Sequence, residues 1–371
     1  MKMFGIIFSN IYDAEMGELT RVRTVASLPF GGRYRQVDFV LSNMVNSDIT
    51  SVGIITKYNY KSLMDHFGDA SDWDLNRKNG GLFIIPPFSS GQTTVYRGKL
   101  EALHSALRFL ESTDDEYALM CDSTIICNID YKAVLKSHIA SGADITVVAN
   151  KDSEDTDTSQ ELVLSTTKDG KVTDLAIDTI PTPDQVMGMG MYIMERTKLI
   201  KIIEQSISHG LAHFERDFMQ KQFIAGSLKI NAYIFDGTVL RNKSISSYFD
   251  NNLSLLDRKI SGDIFKTERP IYTKVRDEVP SYYAETSTIN DCIVADGCVI
   301  RGTVENSVIF RGVYIEPGAE VRNCILMQGT RVKKGAKLTN VIADKNVLIT
   351  DNTTLAGAPT APYIVTKGLT V

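Results

Sequence analysis

The residues with most chemistry to offer lie in three stretches. Arg33 and Arg35 stand two apart behind Gly31-Gly32, within Leu28-Pro29-Phe30-Gly31-Gly32-Arg33-Tyr34-Arg35-Gln36-Val37-Asp38. Paired guanidinium groups after a tight turn can grip a phosphate through parallel N–H donors; they can equally be solvated surface charges, as most arginines are. Asp13, Glu15 and Glu18 crowd the loop that follows the apolar run Phe4–Phe8, and Asp122 closes a second apolar run. Carboxylates at strand ends can hold magnesium against phosphates. The histidines His66, His104, His138, His209 and His213 show no metal-ligand spacing beyond His209-x-x-x-His213, which falls in a Gly-containing stretch and reads as solvated. The five cysteines, Cys121, Cys127, Cys292, Cys298 and Cys324, lack zinc spacing and read as small buried apolar residues of a reduced protein.

The elements that must position these residues follow from periodicity. Phe4–Phe8, Ser51–Thr56, Glu116–Cys121 and Asp144–Ala149 are short apolar runs, read as strands, with helical stretches between them. Leu100–Ser112 places Leu100, Leu103, Leu107 and Leu110 at helical intervals; Tyr131–Ser141 is a second helix, closed by Gly142; a third opens near Asp38. Alternation of this kind predicts a mostly parallel sheet covered on both faces, with ligands beyond the carboxyl ends of its strands. Asp69–Trp73 reads as a surface loop whose tryptophan packs on a partner, and Asp152–Asp157 as a solvated acidic loop.

The character changes after a connecting segment at 256–285. Cys292–Ile300, Ser307–Ile315, Cys324–Val332 and Val341–Ile349 align on one another, their starts 15, 17 and 17 residues apart, with Gly297, Gly312, Gly329 and Asn346 at the same offset. Pro317–Val321, Lys334–Leu338 and Asp351–Leu355 form an interleaved series. A period near eighteen, about three hexapeptides per coil, is the mark of a parallel β-helix, left-handed by analogy with hexapeptide-repeat proteins. The expected organisation is therefore an α/β, Rossmann-like domain at 1–255, the connecting segment at 256–285, and a left-handed β-helix at 286–371. Such solenoids usually serve assembly, so an oligomer is expected.

Composition excludes several classes. A net charge of −5 over 371 residues argues against general nucleic-acid binding, and no apolar run reaches the roughly eighteen residues of a membrane span. The N-terminal apolar run is followed by polar residues and reads as a first strand rather than a signal peptide, so a cytoplasmic location is expected.

Pro29-Phe30-Gly31-Gly32-Arg33-Tyr34-Arg35, then Asp38-Phe39, Leu41-Ser42-Asn43 and Val45-Asn46-Ser47, closely resembles the bacterial ADP-glucose pyrophosphorylase (glucose-1-phosphate adenylyltransferase) family, with matches running with gaps from about residue 3 to about residue 355. Tyr96-Arg97-Gly98 and Met187-Gly188-Met189-Gly190-Met191-Tyr192 extend the likeness. The resemblance implies transfer of adenylyl from ATP to glucose 1-phosphate for glycogen synthesis, with magnesium. The departures fall on the chemistry. The family's Gly-rich phosphate loop is replaced by Ser9–Thr20, where only Gly17 remains and Asp13, Glu15 and Glu18 add negative charge; the family lysine downstream is Val25. Alignment on Asp130-Tyr131 puts Thr124 at the first metal aspartate, with Asp122 two residues away as either a remnant ligand or a polar strand end. Asp178 stands at the sugar-phosphate lysine, and Arg241 at the second metal aspartate. Arg23, Arg33, Arg35 and Lys345 match family cations that contact phosphorylated or sulfated regulators near the interdomain cleft; here they either keep that role or form interdomain salt bridges with Asp38 and Asp344.

The resemblance thus implies the second, noncatalytic type of subunit: a regulatory chain with little or no activity alone, no catalytic residues and no metal of its own, which pairs with a magnesium-using catalytic subunit, as a heterotetramer, and responds to a phosphorylated sugar. The alternatives are a weakly active sugar-phosphate nucleotidyltransferase built on Asp122, or a phosphosugar-binding sensor that acts without a partner.

Overall fold

A computed structural model of the chain describes residues 2–11, 13–87, 96–151 and 161–371. The acidic run Asp152–Asp157 lies outside the described residues, as does Tyr12 of the first loop.

The N-terminal half is built on a nine-stranded sheet: β1 (Met3–Phe8), β2 (Ser51–Ile55), β3 (Gly81–Ile85), β4 (Tyr117–Asp122), β5 (Ile145–Asn150), β6 (Leu162–Thr166), β7 (Val172–Ile177), β8 (Gln185–Glu195) and β9 (Ile230–Ile234). The main path runs β7-β6-β8-β4-β1-β2-β3, and β5 pairs with both β8 and β9. β4, β1, β2 and β3 are parallel, while β8 runs antiparallel to β4, β5 and β6. β8 meets β4 and β6 along one side and β5 along the other, where its register slips between Gly188 and Met191 and Gly190 takes the slip at φ +60°. Strand alternation sorts β1 into two layers: Phe4, Ile6 and Phe8 face one apolar cluster, Met3 and Ile7 the other. Helices α1 (Gln36–Val45), α2 (Lys61–Phe67) and α5 (Tyr131–Ser141) cover the second face; α3 (Lys99–Ser105), α4 (Leu107–Ser112) and α6 (Arg196–Ser208) cover the first.

Local chemistry accounts for most element ends. Asp130 caps α5 by accepting from the Lys132 N–H at 2.9 Å, and Gly142 closes it at φ +59°. α1 opens at Gln36 rather than Asp38, because Asp38 is the third residue of its first turn and accepts the Arg35 N–H at 2.9 Å. The helix expected over Leu100–Ser112 is broken at Ala106. The break turns Phe109 toward the sheet, where it lies over Gly53, which has no Cβ to obstruct it, and meets Phe4 edge-on at 5.8 Å. Asp69–Trp73 is likewise not an open loop. Trp73 is 1% exposed, packed edge-on against His66 and Phe67, so its apolar surface is satisfied inside the chain.

The C-terminal part is a left-handed parallel β-helix of hexapeptide repeats. Ile300, Ile315, Val332 and Ile349 stack in register from coil to coil, all buried. Gly297, Gly312, Gly329 and Asn346 turn equivalent corners at positive φ, and Gly318, Gly335 and Asn352 turn a second set. A third set, Asp291, Asn306, Asn323 and Asn340, also adopts positive φ; each immediately precedes an aligned stretch.

One apolar cluster joins the two halves. Phe30, Phe39, Tyr248 and Ile264 share it with Val308, Phe310, Ile325 and Met327 of the β-helix. Helices α7 (Ile245–Ser254) and α8 (Arg258–Ile264) form part of this junction. The Gly31-Gly32 turn sits directly beneath the solenoid: a Cβ on residue 32 would stand 3.1 Å from the Ile293 side chain.

Candidate functional site

Two charged regions face different parts of the molecule. The first is a cavity of about 130 Å³ at the carboxyl ends of β1, β2 and β4, lined by Ser9, Asn10, Lys57, Tyr96, Lys99, Asp122 and Glu215 among others. Asp122, the last residue of β4, receives the Lys99 Nζ at 2.8 Å, and the same Nζ donates to Glu215 Oε1 at 2.5 Å. The Tyr192 hydroxyl also donates to Glu215, at 3.0 Å. Burial lifts the Asp122 carboxyl to about 7 despite Lys99. Burial works against the Lys99 charge, but the two carboxylates outweigh it and hold that pKa above the ordinary lysine value. Asp122 is therefore committed to a side chain of its own chain.

Thr124 and Arg241 lie together just beyond β4. Leu240-Arg241 pairs antiparallel with Ile125-Ile126, and the Thr124 carbonyl accepts the Asn242 N–H at 3.0 Å. The Arg241 guanidinium donates to the Gly188 carbonyl at 2.9 Å and to Asn150 Oδ1. Glu161 lies 3.7 Å from Arg241 Nη1 and 3.1 Å from Lys243 Nζ, all three side chains at most 7% exposed. A hydroxyl, a guanidinium and an ammonium do not make a divalent-cation site; cations repel one, and the lone carboxylate is already paired. Among the described residues no group of three or more metal-ligating side chains comes together. The residues at these positions do not fit magnesium.

One expectation about this region is corrected, and Asp178 finds its place. Asp13 does not project negative charge toward a triphosphate: it turns inward and accepts the Val25 N–H at 2.7 Å and the Asn10 amide at 2.5 Å. Burial raises its carboxyl to about 6. Asp178, at the position of the family's sugar-phosphate lysine, is not among the residues that line the cavity. It sits at positive φ on the exposed rim, ion-paired with Arg216.

The second region is the cleft between the Gly31-Gly32 hairpin, the linker and the β-helix. Arg33, Arg35, His66, Lys274, Arg276, Arg311 and Lys345 line it. The hairpin pairs Pro29 with Arg35 and Phe30 with Tyr34, which fixes where Arg35 points. Arg35 Nη1 donates to the Ser62 carbonyl at 2.6 Å and hydroxyl at 3.0 Å, and burial lowers its pKa to about 10. Lys345 is pushed down to about 7, first by burial and then by Arg35 and Arg23. Arg33, Arg276 and Lys345 have no ion pair among the described residues. The acids nearby are used elsewhere: Asp38 binds His66 Nε2 at 2.6 Å and Asp344 binds Arg23 at 2.7 Å.

Of the four expected cations, Arg33, Arg35 and Lys345 line this one cleft. Arg23 takes the second of its two expected forms: its guanidinium is 2% exposed and bridges to Asp344 across the domain junction. Lys274 and Arg276 were missed, although they repeat the two-residue spacing of Arg33 and Arg35. Arg311, Lys243, Glu161, Lys99 and Glu215 carry no local signal, because each gains its meaning only from partners distant in the chain.

Comparison with known proteins matches residues 16–237 to the nucleotidyl transferase family model and residues 279–361 to the GlmU-like C-terminal hexapeptide model. The chain is 36% identical to the glycogen biosynthesis protein GlgD of Bacillus subtilis (strain 168) over 368 residues, covering 99% of this chain and 96% of that protein. It is 36% identical to the GlgD of Geobacillus stearothermophilus, and 30% identical to the glucose-1-phosphate adenylyltransferase of the same organism, each over 86% of this chain and 83% of the relative. No helix among the described residues is long and apolar enough to cross a membrane. With a charged strand-end site, a basic interdomain cleft and these relatives, the chain belongs to the nucleotidyl transferase family, within the group formed by glucose-1-phosphate adenylyltransferases and GlgD proteins.

Proposed function

We propose that this chain is a regulatory, catalytically deficient subunit of a cytoplasmic glucose-1-phosphate adenylyltransferase, acting in glycogen biosynthesis by activating a catalytic partner in a heterotetramer. The observation that carries the reading is the buried Arg241–Glu161–Lys243 cluster, which puts a guanidinium where the family resemblance places a magnesium-binding aspartate and a second cation beside it. Nucleotidyl transfer without a metal at that point loses the charge neutralisation on which it depends. Magnesium is then used by the partner's site, and this chain contributes none. Its influence passes through contacts with the partner, with a coupling of about 1–3 kcal/mol if typical. The cleft lined by Arg33, Arg35 and Lys345 is where a phosphorylated sugar acts, since planar guanidinium groups match phosphate oxygens two at a time.

The test is pyrophosphate release from ATP and glucose 1-phosphate by this chain, by the cognate catalytic subunit, and by their mixture. No turnover alone with a faster mixture is expected. Turnover by this chain alone, lost in Asp122→Asn, overturns the reading in favour of an unconventional enzyme. The sensor reading is favoured by one observation, the excess of cations in the cleft. Phosphosugar binding by the isolated chain, with no change in the partner's rate, would establish it.

A further inference from the structure

The strand-end cavity holds a second charged arrangement that the reading above does not use. Lys99 enters from the first turn of α3, and Glu215 from the π-helical turn Phe214–Gln220. The two chain segments are tied together by the Leu100 N–H, which donates to the Ala212 carbonyl at 2.9 Å. Gly98 is needed for this approach, because a Cβ there would collide with the Ala212 carbonyl. Gly190 plays the same part on the other side: a Cβ there would collide with the Asp122 carboxylate. The Lys99 ammonium lies 5.5 Å from the Phe8 ring centroid and 5.3 Å from that of Tyr192, so its stem and charge are held by aromatic faces as well as by carboxylates.

One ammonium placed between two carboxylates, within 2.8 Å of each, occupies the position a small divalent cation takes when bound by two carboxylates and waters. The charge count supports the comparison. A single positive charge leaves this trio one short of neutral when both acids are ionised, whereas a divalent ion would balance it. Asp122 lines the cavity at 7% exposure, and its buried Oδ1 has no hydrogen-bond partner among the described residues, so one carboxylate oxygen is left unsatisfied beside the ammonium.

We propose that Lys99 is a resident cation that stands in for a divalent metal between Asp122 and Glu215, and that its ammonium closes this pocket to divalent ions in the native chain. This goes beyond the regulatory reading and holds whether or not the chain activates a partner. It concerns a different set of residues from the Arg241–Glu161–Lys243 cluster.

The probe is Mn²⁺ alone, with the full-length chain. Two variants separate charge from shape. Lys99→Ser removes the ammonium and leaves room between the carboxylates. Lys99→Met removes the charge and keeps the stem in place. Wild type is expected to bind no Mn²⁺ by the loss of the free-ion electron paramagnetic resonance signal, and its Tm should be the same in EDTA and in millimolar Mn²⁺. Lys99→Ser should bind one Mn²⁺ per chain and gain about 5 °C in Tm on adding it, as mass action requires of a ligand specific to the folded state. Lys99→Met should be destabilised and gain nothing from Mn²⁺. Asp122→Asn in the Lys99→Ser background should abolish binding. Refolding from urea with and without Mn²⁺ covers the case in which Lys99→Ser does not fold unaided. Recovery only with Mn²⁺ supports the proposal; failure to recover in Mn²⁺ overturns it. Stoichiometric Mn²⁺ binding to the wild type that is unaffected by Lys99→Ser overturns it as well.

Discussion

The strand-end pocket and the interdomain cleft are built from the same kinds of side chain and use them in opposite ways. In and beside the pocket the buried cations are matched internally: Lys99 by Asp122 and Glu215, and Arg241 and Lys243 by Glu161 and neighbouring oxygens. In the cleft the cations outnumber the acids that face them, because Asp38 is taken by His66 and Asp344 by Arg23. A charge already paired and buried gains little from a ligand, since binding must first replace what the partner supplies. A charge crowded by like charges gains much, because an incoming anion relieves repulsion as well as forming bonds. On the proposed reading, the difference makes the junction of the domains, and not the strand-end pocket, the place for an anionic solute to act.

The largest effect should come from removing a buried carboxylate. Glu161→Ala takes away the acid that Arg241 and Lys243 share, in a site almost closed to water. It should cost about 5 kcal/mol in urea unfolding, the upper end for a broken buried pair. A cost under about 1 kcal/mol would mean that the pocket cations are solvated and that the contrast with the cleft is false. Next comes Asp344→Asn, which unpairs Arg23 at the domain junction while keeping an oxygen for the Lys345 N–H. It should cost about 3 kcal/mol in the same measurement. Added phosphate should restore part of that loss if the freed guanidinium joins the cleft.

The fold was legible in the sequence wherever periodicity carried it. Strands β1, β2, β4 and β5 lie within a residue or two of their apolar runs, and the β-helix corners at Gly297, Gly312, Gly329 and Asn346 adopt the positive φ their spacing implies. The third corner, at Asn306, Asn323 and Asn340, was overlooked because a lone asparagine is also an ordinary polar residue. Asp13 and Trp73 were read as exposed from their surroundings in sequence. Both are buried, since the partners that satisfy them, Val25 and the His66–Phe67 pair, become neighbours only on folding. The losses at Thr124 and Arg241 were visible as wrong residue types. That Lys243 and Glu161 complete the replacement was not, for ion pairs across long loops leave no spacing to detect.

An intermediate effect distinguishes the two regions directly. Inorganic phosphate or glucose 1-phosphate should raise the Tm of the wild-type chain by a few degrees through the cleft, and raised salt should weaken the effect. Arg35→Ala should reduce the affinity by about tenfold, the loss of one charge-assisted contact. Lys99→Met, in the other region, should leave the anion affinity unchanged. Equal losses from the two variants would place the anion in the strand-end pocket and reverse the comparison.

The smallest effect is the most specific to the cleft. Lys345 is held near 7, well below the ordinary lysine value of 10.5. Burial is the main cause, and the charged groups that face it are Arg35, Arg23 and Arg276, opposed by Asp344. Between about pH 7 and the ordinary lysine value the unfolded chain therefore holds a proton on Lys345 that the folded chain has shed. Stability contributed by this residue must rise with pH across that window, by at most ~1.4 kcal/mol per pH unit. Lys345→Met should flatten the rise, read as the difference between wild-type and variant urea midpoints at about pH 7.5 and 8.5. Saturating phosphate should flatten it in the wild type too, because an anion in the cleft keeps the ammonium charged and binding then takes up a proton. Parallel pH profiles for the two chains would mean that Lys345 is solvated, and that its charge is as settled as those in the strand-end pocket.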